Sequence, residues 1–141
     1  IQHCGNSPSE ARARGCVFES SNLAWVPAEC YDKEISDEWD AKSWVYAYGI
    51  NKQNVTLEEV LKGDLDHVWV TWSQHIAHCA LMELKFQRAV QFNWPMNNWT
   101  SHYAHSLHCA KSYTEWDFMK TPNKLNSKIF IKFPVCSYSW Q

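Results

Sequence analysis

A five-residue pattern occurs twice in this chain: HIAHC at residues 75–79 and HSLHC at residues 105–109. It constrains the fold more than any other feature. On a helix turning about 100° per residue, His75 and His78 lie about 60° apart, and Cys79 falls about 40° to the other side of His75. All three share one face. The same arithmetic gathers His105, His108 and Cys109, and His102 extends that row by one turn.

The flanking sequence supports helices at both motifs. Residues 66–92 contain neither Gly nor Pro, and Val68, Trp72, Ile76, Cys79, Leu84 and Val90 keep near-helical spacing. This predicts one long helix ending before Pro95. A second helix is expected over about residues 101–119, stopped by Thr121-Pro122-Asn123. Helices joined by a loop of about eight residues pack most simply as an antiparallel hairpin, which would turn the two histidine faces toward each other.

Elsewhere the signals are shorter. Ser7-Pro8 and Gly15 bracket a short helix flanked by Cys4 and Cys16, and residues 28–40 read as another. Residues 44–48 (WVYAY) read as a strand. Thr56 and Glu59 form a capping box whose helix Gly63 closes. Near the end, Ile129, Ile131 and Phe133 alternate with Lys128 and Lys132, which predicts a half-buried strand. The expected fold is mainly α: a small disulfide-braced single domain over 1–141, built on the helix hairpin with a few short strands.

At 141 residues the chain is long enough for one core. Its net charge of −2, with Lys and Arg scattered, gives no surface for a polyanion and speaks against nucleic acid as a partner. No apolar run reaches membrane-spanning length, and the chain opens at Ile1, so a mature or trimmed ectodomain is expected.

Six cysteines, Cys4, Cys16, Cys30, Cys79, Cys109 and Cys136, form an even set, and Asn54 and Asn98 head glycosylation sequons. Together these point to the secretory-pathway lumen or the extracellular space. Fifteen pairings are open. A Cys79–Cys109 bridge would staple the hairpin, and a Cys4–Cys16 bridge would close a short loop around the first helix.

Paired histidines three apart on a helix place β-carbons about 5 to 6 Å apart and can chelate one ion, and neutral imidazole suits copper, zinc or iron. His75, His78, His105 and His108 are the candidate ligands, with His102 as an auxiliary. Hydrogen-bonded core histidines beside a disulfide are the plainer alternative. A Cys₂His₂ zinc site remains open, although such sites draw both cysteines from one tight turn. Haem attachment needs two Cys before one His, and no HExxH motif marks a zinc hydrolase. Glu83 and Glu115 sit one turn beyond the motifs, and Trp72, Trp99, Tyr103 and Trp116 are candidate cavity walls. His3 and His67 lie outside the pattern as ordinary histidines. If imidazoles hold copper, affinity is expected to fall steeply below pH about 6.5, the unperturbed histidine value.

The two HxxHC motifs resemble those of the UstYa-like family of fungal proteins. The segments CGNSPSEARARGCVFE, AWVPAECYDKEISDEW and HIAHCALMELKFQRA extend the likeness over most of residues 3–109. The resemblance implies a copper-dependent oxidoreductase that uses dioxygen for cyclisation, dehydrogenation or halogenation of a peptide or other secondary metabolite. It implies His75, His78, His105 and His108 as catalytic copper ligands, and members that work as homo- or heterodimers. Family members carry an N-terminal membrane segment, so the full-length form is expected to be anchored. This chain has ALMELKFQRA and AKSYTEW after its motif cysteines, where biosynthetic members often have a Leu-Arg-Gln-like stretch. A secreted protein that binds copper or a host target without turnover is the alternative reading.

Overall fold

The stretch before the first histidine motif does not begin as helix. In the computed structural model, which describes residues 2–138, the expected helix over 66–92 divides at Thr71. Strand β5 (His67–Thr71) comes first, and helix α4 (Trp72–Phe92) follows. Val68, Val70 and Thr71 are β-branched and favour the extended backbone, and burial alternates along the strand. The Thr71 hydroxyl then accepts the Gln74 N–H at 3.1 Å and caps α4. Strand pairing on both sides outweighs the helical periodicity there.

The helix expected over 101–119 is also shorter. Helix α5 (Tyr103–Ser112) carries the second motif, and a separate turn, α6 (Trp116–Met119), follows. At the break, Ser112 Oγ donates to the His108 carbonyl at 2.9 Å and Thr114 Oγ1 to the Lys111 carbonyl at 3.1 Å. Such side-chain bonds compete with continued helix.

The remaining elements hold this hairpin in place. Helix α1 (Pro8–Ala13) is capped by Ser7. Residues 28–40 split into a 3₁₀ turn (Ala28–Cys30) and α2 (Lys33–Asp40), because Asp32 accepts the Ile35 N–H and starts a new helix. The Thr56–Glu59 capping box opens α3 (Leu57–Leu61). Gly63 follows with φ +73°, and its carbonyl accepts the Trp25 indole N–H at 3.0 Å. A β-carbon there would collide with Trp25 and Phe18, so glycine is required twice over.

Four strands form the main antiparallel sheet, in the order β4 (Gln53–Val55), β3 (Tyr46–Tyr48), β5 and β7 (Leu125–Phe130). β7 starts three residues earlier than Lys128, and past Phe130 the chain moves across to β2 (Ala24–Val26). There the Lys132 N–H donates to Leu23 and its carbonyl accepts from Trp25. β2 pairs with β1 (Val17–Glu19), and β6 (Met96–Asn97) with β8 (Cys136–Ser137). Phe18, Leu23, Trp25, Tyr46, Val60, Val68 and Val70 make the core. The molecule is therefore helix-rich, with more sheet than the sequence suggested.

Three disulfides brace it: Cys4–Cys16, Cys30–Cys136 and Cys79–Cys109. They suit an oxidising, secretory or extracellular setting. Among the described residues, no helix is long and apolar enough to cross a membrane.

Candidate metal centre

Helices α4 and α5 meet at the Cys79–Cys109 disulfide, whose Cα atoms are 5.2 Å apart. The bridge fixes the seam between the two motifs, and the histidines pair across it. His78 Nε2 lies 3.3 Å from His105 Nε2, and His75 Nε2 lies 3.2 Å from His108 Nε2. Along each helix the rings are farther apart, with centroids 6.4 Å distant for both His75–His78 and His105–His108. The four imidazoles thus form two inter-helix pairs.

Both pairs open into a cavity of about 690 Å³, walled by Trp72, Trp99, residues 126–130 of β7, and Lys132. His102 reaches its rim, exposed, with its ring 6.1 Å from that of Trp99. Tyr103 and Trp116, expected as walls, are 78% and 67% exposed and do not line it. Tyr103 precedes His105 by two residues, about 200° around the helix, so an inward His105 turns it outward. Trp116 lies beyond the break after α5. Glu83 and Glu115 are exposed and form no hydrogen bond with the histidines among the described residues. His67 is a structural residue: its Nδ1–H donates to Asp66 at 2.6 Å and its Nε2 accepts the Gly49 N–H at 3.1 Å. His3 is exposed beside the Arg14 guanidinium, 3.3 Å away.

The tautomer of His78 follows from its surroundings. Its Nδ1–H donates to the Ser21 carbonyl at 2.8 Å, which leaves Nε2 as the lone-pair donor facing His105. Burial pushes His75 down to about 4, and the nearby His108 adds to this. Burial likewise lowers His105 to about 4, with Lys132 and the neighbouring histidines reinforcing it. His78 is held well below its ordinary value by burial, then by His105, Lys132 and His75, while the Ser21 carbonyl acts the other way. These three imidazoles are therefore neutral at neutral pH, the form that binds metals.

Ser21 belongs to a turn that sequence reasoning missed. Glu19, Ser20, Ser21 and Asn22 are all polar, yet all are buried. The Glu19 carboxylate pairs with Lys85 of α4 and accepts from Asn22 Nδ2 at 3.2 Å. Lys132 Nζ donates to the Asn22 carbonyl at 2.5 Å, and burial holds its ammonium down to about 7 against the opposing pull of Glu19. One signal was available. Lys85 follows His78 by seven residues, within about 20° of the same helical face, and a lysine on a buried face requires an acid.

The donor set suits a metal with imidazole preference. Two nitrogens bound to one tetrahedral ion through bonds of about 2.0–2.1 Å sit about 3.3 Å apart, close to the spacing within each pair. The cavity-lining residues His75, Trp72 and Trp99 each keep a buried nitrogen, His75 Nδ1 and the two indole nitrogens, with no hydrogen-bond partner among the described residues. With Cys79 and Cys109 bridged, neither supplies a thiolate. No three His, Cys, Asp or Glu side chains among the described residues are gathered closely enough to enclose one ion, so the pair is the unit of binding the geometry offers.

The chain is similar to fungal biosynthesis-cluster proteins. Phomopsin biosynthesis cluster protein B′ and phomopsin biosynthesis cluster protein B of Diaporthe leptostromiformis are each 30% identical to it over 77% of its length. The match takes in 35% of each relative, so the chain spans about a third of the length of the curated proteins it resembles. No protein-family model matches the chain. No solved structure matches it either.

Proposed function

We propose that this domain is a copper-dependent oxidoreductase of the UstYa-like type, acting with dioxygen on a peptide or other secondary metabolite in fungal biosynthesis. The observation that carries this reading is the pairing of His78 with His105 and His75 with His108 at 3.3 and 3.2 Å, all four lining one cavity. The relatives named for a phomopsin biosynthesis cluster agree with such a pathway.

His75, His78, His105 and His108 would hold the copper, with His102 available at the rim. Bound copper supplies one-electron redox chemistry and a position for dioxygen. The chain contributes the rest. The Ser21 carbonyl fixes which nitrogen His78 presents, the disulfide holds α4 and α5 in register, and Trp72 and Trp99 give the cavity aromatic walls for an apolar or phenolic substrate. Burial keeps His75, His78 and His105 neutral before any metal arrives. Asn54 is exposed on the outer strand β4 and is the better-placed glycan acceptor. Asn98 already accepts the Val135 N–H at 3.0 Å, and the Thr100 of its sequon is buried.

The deciding experiment is metal content and the visible and paramagnetic spectrum of the protein supplied with copper, followed by oxygen uptake with a reductant. Copper bound by wild type and lost in His78→Ala and His108→Ala, with oxygen uptake lost in parallel, supports the oxidase. Folded wild-type protein that takes up zinc or nothing overturns it. Copper uptake with no oxygen consumption supports a non-catalytic copper-binding protein.

A further inference from the structure

Among the described residues, the histidine cavity offers positive groups without any acid: Lys128 and Lys132 line it, and no Asp or Glu does. Lys132 Nζ donates to the carbonyls of Asn22 and Phe130, at 2.5 and 2.7 Å, and lies 5.0 Å over the Trp99 ring. No carboxylate among the described residues pairs with it, since Glu19 is engaged by Lys85. A desolvated ammonium with no acid beside it is complemented by an acceptor-rich anion.

The β7 wall adds a second observation. One face of a strand displays alternate residues only, yet the five consecutive residues 126–130 all line the cavity. The cavity therefore runs along the strand's edge, and among the described residues β7 is the last strand of its sheet. The Ile131 N–H donates to the Asp66 carbonyl at 2.9 Å. With the register His67↔Phe130, Val68↔Ile129 and Trp69↔Lys128, this makes Lys128 and Phe130 the residues whose main-chain groups point away from β5. The Phe130 carbonyl is taken by Lys132. The Lys128 N–H and carbonyl face the open edge.

We propose that the substrate of this cavity carries a carboxylate, which seats on the Lys132 ammonium and places the rest of the molecule against the histidines. The inference rests on reading the cavity as the substrate site of the copper centre. An incoming carboxylate would restore the full charge that desolvation withholds from Lys132. A free carboxylic acid and the carboxylate of an extended peptide share this chemistry, and the peptide would add main-chain hydrogen bonds to Lys128.

The test measures binding by tryptophan fluorescence in wild type and Lys132→Met, each copper-loaded and metal-free. The probes are 3-phenylpropionic acid and its amide, and acetyl-Ala-Ala-Phe as free acid and C-terminal amide. Wild type should bind each acid about tenfold or more tightly than its amide, as one charge-assisted pair requires, with or without copper. Lys132→Met should lose that preference. Tighter binding of the peptide acid than of phenylpropionate assigns the carboxylate to a peptide; equal affinity assigns it to a free acid. The comparison of acid with amide on wild type stands even if the variant folds poorly. The inference is overturned if wild type binds neither acid, if acid and amide bind equally, if Lys132→Met keeps the preference, or if the preference needs copper. Copper stoichiometry measured alongside keeps the two readings apart: lost copper binding with an intact acid preference sinks only the copper site, and the reverse sinks only the carboxylate seat.

Discussion

His78 and His105 approach to 3.3 Å between their Nε2 atoms, although 26 residues lie between them and each sits on a different helix. Their meeting depends on two constraints besides the histidines: the Ser21 carbonyl that holds His78 from behind, and the Cys79–Cys109 bridge, one residue from His78 and four from His105.

If these pairs hold copper, losing either member leaves one imidazole where two are needed. His78→Ala and His105→Ala should each weaken copper binding by more than about a hundredfold, beyond the 10–100-fold typical of groups that only orient a ligand. His75→Ala and His108→Ala should act similarly. His67→Ala should leave copper binding unchanged, because both its ring nitrogens are engaged by Asp66 and Gly49. Competition with a chromogenic chelator measures all five, and wild-type affinity in every motif variant would remove the site from these helices.

Acid release of copper should begin lower than ordinary histidines suggest. An unperturbed imidazole would compete for protons from pH about 6.5 downward, but burial holds His75 and His105 at about 4 and His78 lower than usual. At the His78–His105 pair, affinity should stay nearly level to about pH 5 and fall as pH approaches 4, with protons taken up as metal leaves. Metal-free stability behaves differently. The unfolded chain takes up protons at His75 and His105 below about 6.5 and the folded chain only near 4, so stability falls with pH across that window, and His78 adds to the fall in the same direction. Copper release and thermal unfolding followed from pH 7 to 3.5 should show these separate onsets; loss of all copper by pH 6 would contradict the burial of the His78–His105 pair.

The Cys79–Cys109 bridge closes a loop of 30 residues, for which chain entropy gives about 3 to 4 kcal/mol of stabilisation. The double variant Cys79→Ser/Cys109→Ser should lose stability of that order and also bind copper more weakly, since α4 and α5 would no longer be fixed at the motifs. Chemical denaturation and copper titration of the same preparation check both effects. A large loss of stability with unchanged copper affinity would show that packing alone aligns the histidines.

The histidine face was legible because a short helical repeat encodes it: the spacing of His75, His78 and Cys79 survives any error in where the helix starts. The start itself was not legible. Val68 and Val70 fit a helical stripe and a strand equally well, and only pairing with Ile129 and Ser127 across β5 and β7 decides between them. Long-range support was hidden for the same reason. Nothing near Ser21 announces a contact with His78, 57 residues away, whereas Cys4 and Cys16 stand close enough in sequence for their bridge to be anticipated. Tyr103 was misplaced by counting aromatic residues near a motif instead of following their angle around the helix.

The buried pair of Glu19 and Lys85 gives the most specific test of that support. Their side chains are 0% and 6% exposed, and the turn between β1 and β2 hangs from them through Asn22 and Lys132. Removing one charge leaves the other buried without a partner, which costs about 3–5 kcal/mol. Glu19→Gln and Lys85→Met should each lose stability in that range, whereas Glu19→Met/Lys85→Met should recover much of it, because two apolar side chains leave no buried charge. Copper affinity should fall in the single variants as the Ser21 carbonyl loses its position behind His78. A double-mutant cycle of stability and copper binding separates the two roles. Single variants within about 0.5 kcal/mol of wild type, the range of ordinary surface changes, would mean that the pair is not buried as the structure has it.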